Sequence, residues 1–169
     1  YAEIVEGLQQ RSAVVVIVSL GGMGKTSLAR EIAGDYLAGR VAVPRFRAVV
    51  WVSDRPHPGA TTLNVVLDEI ALTLDYPGLV QAEFSSKRRD VENLLRRQAV
   101  LLVVDNYETI MDQALADWLV RLPEPSKALV TSREHLVKFR RSSWPVELEG
   151  MSREEAHRFL QEKVAALKM

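Results

Sequence analysis

The sequence predicts an α/β fold, a three-layer α/β/α sandwich around a mainly parallel five-stranded sheet. Three observations predict it. Short runs that are apolar at nearly every position recur at Val14 to Ser19, Ala48 to Ser53, Val100 to Asp105 and Ala128 to Thr131, with a shorter one at Val146 to Leu148. A strand without a polar face is covered on both sides, which is the condition of a parallel strand. Helical patterns separate the runs, as the crossovers between parallel strands require. The first run also ends in a glycine-rich turn that opens a helix.

That first segment, VVVIVSLGGMGKTSL from Val14 to Leu28, carries the sharpest chemistry. Gly24-Lys25-Thr26 closes a phosphate-binding loop: glycines allow successive backbone N–H groups to face phosphate oxygens, the lysine reaches the terminal phosphates, and the threonine hydroxyl ligates Mg²⁺. The helix that follows adds the positive end of its dipole. Gly21, Gly22, Met23, Gly24, Lys25, Thr26 and Ser27 are the candidate nucleotide-binding residues. One position departs from GxxxxGK[ST], because Ser19 stands where the first glycine belongs. That glycine serves the exit from the strand rather than the phosphates, and Gly21 and Gly22 are expected to supply the positive φ angles of the loop.

Leu28, Ala29, Ile32, Ala33 and Tyr36 share one face of the helix after the loop, and Leu63, Val66, Leu67, Ile70 and Leu74 share one face of the next. Between them the Ala48 strand leads into Asp54 to Ala60, a loop with two prolines and a glycine. Val91, Leu94 and Leu95 mark a third helix, and Met111, Leu115, Trp118, Leu119 and Leu122 a fourth that Pro123 and Pro125 end. Ser152 and Glu155 form a capping box ahead of a last helix with Ala156, Phe159, Leu160, Val164 and Leu167 on its apolar face.

The Val100 run ends in Asp105, which places a carboxylate at the C-terminal edge of the sheet beside the phosphate loop. Thr26 and Asp105 are therefore the candidate Mg²⁺ ligands.

The 169 residues, 47% of them apolar, allow one domain with a substantial core, taken as residues 1–169. The chain starts without Met and stops inside an amphipathic pattern, so it is expected to be part of a longer protein. Lysine plus arginine balances aspartate plus glutamate at 22 each, which supplies no general field for a polyanion such as DNA. There are no cysteines, which excludes disulfides and thiolate chemistry. The longest apolar run, Ala13 to Val18, is far too short to span a membrane, and a cytoplasmic placement is the default expectation. The histidines at 57, 135 and 157 have no spacing that gathers a metal.

Four motifs in order, SLGGMGKTSLA (Ser19 to Ala29), AVVWVS (Ala48 to Ser53), LLVVDNYE (Leu101 to Glu108) and ALVTSRE (Ala128 to Glu134), resemble the signal transduction ATPases with numerous domains, the STAND class with its NB-ARC and NACHT-like nucleotide-binding domains. A weaker fifth, ELEGMSREEA, runs from Glu147 to Ala156. The resemblance implies a P-loop NTPase of the additional-strand (ASCE-type) order, with the Thr131 strand between the Val14 and Val100 strands and the Ala48 strand beyond. It makes Asp105 the Mg²⁺-associated carboxylate and Arg133 a sensor of the terminal phosphate, a role that suits a forked donor. Asn106 stands where many hydrolysing relatives carry the glutamate that activates water. Glu108 could replace it only if the turn brings it back, so hydrolysis is expected to be slow or dependent on a partner. With Lys25, Asp105, Arg133 and Glu108 as its working residues, the expected function is an ATP/ADP-dependent molecular switch. Its expected partners are flanking helical, winged-helix or repeat domains and a homo-oligomer, with no direct nucleic-acid or membrane binding. A small-molecule or nucleotide kinase and a scaffold that holds nucleotide permanently are the alternatives.

Overall fold

The computed structural model describes residues 1–139, 142–150, 154 and 157. In order the elements are α1 (Ala2–Gln9), β1 (Val14–Val18), α2 (Lys25–Leu37), β2 (Ala48–Ser53), α3 (Leu63–Thr73), α4 (Phe84–Arg97), β3 (Val100–Asp105), α5 (Gln113–Leu119), β4 (Lys127–Ser132) and β5 (Ser143–Glu147). All four strand pairings are parallel, in the order β2-β3-β4-β1-β5. The order expected from the resemblance is the observed one. The capping box at Ser152, the helix after it and the Arg140-Arg141 pair lie outside the described residues.

Alternation along each strand divides the core in two. Val14, Val16 and Val18 pack with Val50, Val52, Leu102, Val104 and Val130 under α3, α4 and α5. Val15 and Ile17 face the other way, with Leu101, Val103 and Leu129, under α1 and α2. Every residue of β1, β3 and β4 is buried, whereas edge strand β2 alternates between buried and half-buried positions.

Three elements differ from the sequence expectation. The helix α1 was not anticipated, because an eight-residue element with only Ile4, Gly7 and Leu8 buried has too few turns to display a period. The fourth helix is shorter than its apolar pattern: Met111 is 80% exposed, and Leu122 is buried from a position beyond the helix. The last strand begins three residues before Val146, where Pro145 obscures the pattern. Its place at the sheet edge beside β1 tolerates the missing N–H.

The helix starts show why these segments fold locally. Thr62 accepts the Val65 N–H at 3.3 Å, Glu83 accepts those of Ser85 and Ser86, and Asp112 accepts that of Ala114 at 2.9 Å. Asp112 also accepts the Leu63 N–H at 2.7 Å, which joins the starts of α3 and α5. No helix among the described residues is long and apolar enough to cross a membrane.

Candidate functional site

The C-terminal ends of β1, β4, β3 and β2 lie side by side, and the loops leaving them surround a cavity of about 230 Å³. Its lining includes Gly21, Gly22, Gly24, Lys25, Thr26 and Ser27 from the phosphate loop, Asp105, Asn106 and Glu108 after β3, and Thr131 and Arg133 of β4 and its exit. Arg55, just past β2, completes it. Ligand pockets for whole small molecules run from about 300 to 1,000 Å³, so this enclosure suits a phosphate chain rather than a complete nucleotide.

The loop conformation follows from its glycines. Gly22 and Gly24 have φ near +81° and +83°, a region costly for other residues, and Gly24 is the N-cap of α2. Gly21, expected to share that role, does not adopt a positive φ; the added Cβ of any other residue there would sit 3.7 Å from the Arg133 guanidinium. Met23 is in the loop but does not line the cavity, and its side chain lies against Gly150. Lys25 is buried and donates to the Ser19 carbonyl at 2.7 Å, the Leu20 carbonyl at 2.9 Å and the Ser19 hydroxyl at 3.1 Å. The serine that replaces the first glycine thus becomes an acceptor for the loop lysine. Burial lowers the pKa of Lys25 from its ordinary value; Glu108 opposes that shift, Arg133 adds to it, and Asp105 opposes it.

Asp105 is 2% exposed at the end of β3. One carboxylate oxygen accepts from the hydroxyls of Thr26 and Thr131, each at 2.7 Å, and the other from Ser53 at 3.0 Å. Residues from α2, β4 and β2 therefore hold a single carboxylate. Thr26 and Asp105 place hard oxygen donors side by side at the cavity, a donor set that suits Mg²⁺ completed by water and phosphate oxygens. Among the described residues no group of three or more acidic or imidazole side chains gathers into a metal site made by protein alone.

Asn106 has φ +64°, and its N–H donates to Thr131 at 3.0 Å while its side-chain amide donates to Thr109 at 2.9 Å. The left-handed step leads into a single 3-10 turn, Tyr107–Thr109, that brings Glu108 to the cavity. There Glu108 pairs with the Arg133 guanidinium at 2.9 Å and accepts the Arg133 N–H at 3.3 Å. Lys25, Thr26, Asp105, Glu108 and Arg133 thus come together from three separate stretches of sequence.

Sequence reasoning missed Ser53, Asp54, Arg55 and the hydroxyl role of Thr131. The stretch after β2 is an organised turn around Asp54, which is 1% exposed. Its carboxylate accepts the N–H groups of Gly59 at 2.7 Å and Thr61 at 2.9 Å and the Thr109 hydroxyl at 2.5 Å. Burial works to raise the Asp54 pKa, but these bonds together hold it below the ordinary value. The available signal was Ser53-Asp54-Arg55 at the end of a strand that follows a phosphate loop, polar residues at the sheet edge where ligands bind.

The protein-family profile described as the NB-ARC domain matches residues 2–169. The transcription activator GutR of Bacillus subtilis is 29% identical over 161 residues, covering 90% of this chain and 19% of that protein. The chain therefore spans about a fifth of this curated relative. Among solved structures, the fold is similar to that of Cdc6p from Pyrobaculum aerophilum, with a TM-score of 0.71 and 14% identity over 98% of this chain and 47% of the other. It is also similar to the Aeropyrum pernix ORC1 protein, solved in complex with DNA, with a TM-score of 0.69 and 17% identity over 98% and 49%. A STAND protein with a tetratricopeptide repeat sensor from Pyrococcus horikoshii gives 0.62 and 17% over 96% and 25%.

Proposed function

Because the chain belongs to the NB-ARC domain family, within the STAND class of nucleotide-binding P-loop ATPases, we propose that it is the ATP/ADP-binding core of a nucleotide-dependent switch that hydrolyses ATP slowly. The observation that carries the slow step is the state of Asp105 and Glu108, the two carboxylates that line the cavity among the described residues. Asp105 receives three hydroxyl donors, and Glu108 is held by Arg133. A general base must accept a proton from water at hydrogen-bond distance; here donors take up both carboxylates, and Glu108 can serve only once a phosphate has drawn Arg133 away. Asn106 has an amide in place of a carboxylate and turns it to Thr109.

The binding half of the reading rests on the loop and its helix. Backbone N–H groups from Gly22 to Thr26 and the N-terminus of α2 receive the phosphates, and Lys25 exchanges its carbonyl acceptors for phosphate oxygens. Thr26 and Asp105 would hold Mg²⁺, which supplies charge neutralisation between the phosphates. For that the Thr26 hydroxyl turns its proton away from Asp105. Arg133 lies beyond the loop, where a terminal phosphate competes with Glu108 for its guanidinium. Presence or absence of that phosphate changes what holds the exit of β4, which is the kind of local electrostatic event that biases a larger switch. Oligomerisation and contacts to flanking domains belong to the same proposal, as does a signalling role in a longer protein.

Two measurements test this. Calorimetric titration with ADP and with ATP, each with Mg²⁺, is expected to give saturable binding that Lys25→Ala abolishes; binding by the variant equal to that of the parent would refute the assignment of the site. Steady-state turnover of the same chain is expected well below about 1 s⁻¹, and a rate near the enzyme median of about 10 s⁻¹ would overturn the switch reading.

A further inference from the structure

Resting on the nucleotide-binding reading above, we propose that Arg55 is a further nucleotide-binding residue of this site: its guanidinium contacts the terminal phosphate and makes the site distinguish a triphosphate from a diphosphate.

Among the described residues three cationic side chains line the cavity, those of Lys25, Arg55 and Arg133. Lys25 is occupied by the loop's own carbonyls, and Arg133 is paired with Glu108. Arg55 is exposed, and among the described residues its guanidinium enters no ion pair or hydrogen bond. Among the described residues it is the cation of the cavity whose side-chain donors meet no acceptor. A guanidinium presents forked donors that match phosphate oxygens, and it remains charged at every relevant pH.

The backbone carrying Arg55 is built into the site rather than loosely attached to it. On one side the Asp54 N–H donates to the Asp105 carbonyl at 3.1 Å. At the residue itself, the Arg55 N–H donates to the Ser53 hydroxyl at 3.3 Å, and that hydroxyl donates to the Asp105 carboxylate at 3.0 Å. On the other side the turn is closed by Gly59 and Thr61 on the Asp54 carboxylate, which Thr109 ties to the segment after β3. The Cα of Arg55 is thereby fixed relative to Asp105 while its side chain stays free to meet a ligand, so binding has to order that side chain but not the backbone that carries it.

Strand order decides which phosphate it meets. The phosphate loop follows β1, Arg133 follows β4, Asp105 ends β3 and Arg55 follows β2, so the four lie in sequence along the sheet edge. Neighbouring strands are about 4.8 Å apart, which puts the end of β2 roughly 14 Å from the end of β1. Phosphates seated on the loop are those nearest the nucleoside. Arg55 approaches from the opposite end, past the aspartate, where only the last phosphate of a triphosphate extends.

The test is calorimetric titration of Arg55→Gln, a substitution at an exposed side chain, with Mg²⁺–ADP and with the Mg²⁺ complex of a β,γ-imido ATP analogue. Unaltered chain and Lys25→Ala serve as references, with circular dichroism to verify folding. The expected result is a loss of about tenfold or more in affinity for the triphosphate analogue, the scale of one charge-assisted contact, with ADP affinity unchanged within about twofold. An equal loss for both nucleotides, or no loss for either, overturns the assignment of Arg55 while the nucleotide site stands. Unaltered chain that binds neither nucleotide, or binding that survives in Lys25→Ala, overturns the underlying reading as well.

Discussion

Glu108 and Arg133 illustrate how the meaning of a residue depends on its partner. Arg133 keeps 62% of its side chain exposed, so the pair is screened and its contribution to stability is at most about 1 kcal/mol. Its importance lies in what it competes with. Glu108→Gln is expected to change the unfolding free energy by less than about 1 kcal/mol while raising affinity for ATP several-fold, because a negative charge leaves the cavity and Arg133 is released to the phosphate. Urea titration and calorimetry on the same variant check both halves; weaker ATP binding would mean that Glu108 positions Arg133 rather than restrains it. Asp54 is a buried group with a stabilising role. Its folded pKa lies below the unfolded value, so its contribution is fully present above the ordinary value of 3.8 and is lost as pH falls through the lower folded value. Asp54→Asn is expected to cost about 1–3 kcal/mol at pH 7, since an amide presents one acceptor oxygen where three donors converge. As pH falls from the ordinary value through the lower folded one, the difference from the parent should shrink, and urea unfolding at a series of pH values reads it.

At the scale of elements, α1 and β5 are held by an unusually close approach. A Cβ added at Gly7 would lie 2.5 Å from Cδ1 of the Trp144 indole, a rigid ring that cannot bend aside. Glycine ordinarily weakens a helix by about 1 kcal/mol relative to alanine, yet here the absent side chain lets the helix settle on the edge strand. Gly7→Ala is therefore expected to destabilise by about 1–2 kcal/mol despite its better helix propensity, with a change in tryptophan fluorescence from the displaced ring. A stabilised variant with unchanged fluorescence would contradict this packing. The opposite layer is joined by polar contacts: Lys87 of α4, 3% exposed, pairs with Asp68 at 2.5 Å and donates to Asn64 at 3.0 Å on α3. The same lysine would count as surface charge in the sequence, where nothing marks α3 as its neighbour.

For the whole molecule, the site is a meeting of β1, β4, β3 and β2 at one edge, so ligand binding and fold stability are coupled. A nucleotide present at 100 times its Kd adds about 2.7 kcal/mol to the native state. For a chain of this size that should raise Tm by about 5 to 11 °C, and differential scanning fluorimetry with and without Mg²⁺–ADP reads it. Lys25→Ala should abolish the shift, and its persistence would mean that nucleotide binds elsewhere. Much of this architecture was legible in the linear chain. Apolar strands and helical periods are local patterns, so the α/β sandwich, the bounds of β2 and β3, the loop at Gly24-Lys25-Thr26 and the carboxylate of Asp105 could be read without coordinates. The strand order could be read only through resemblance, because nothing in periodicity says which strand pairs with which. Tertiary structure alone decided that Ser53 and Thr131 hold Asp105, that Asp54 organises the turn after β2, that Glu108 reaches Arg133, and that Arg55 faces the phosphate loop from three strands away. Apart from the local Gly59 and Thr61 bonds of the Asp54 turn, those contacts join residues 25 to 55 positions apart or place them in one cavity, and hydrogen bonds across such separations leave no trace in local composition.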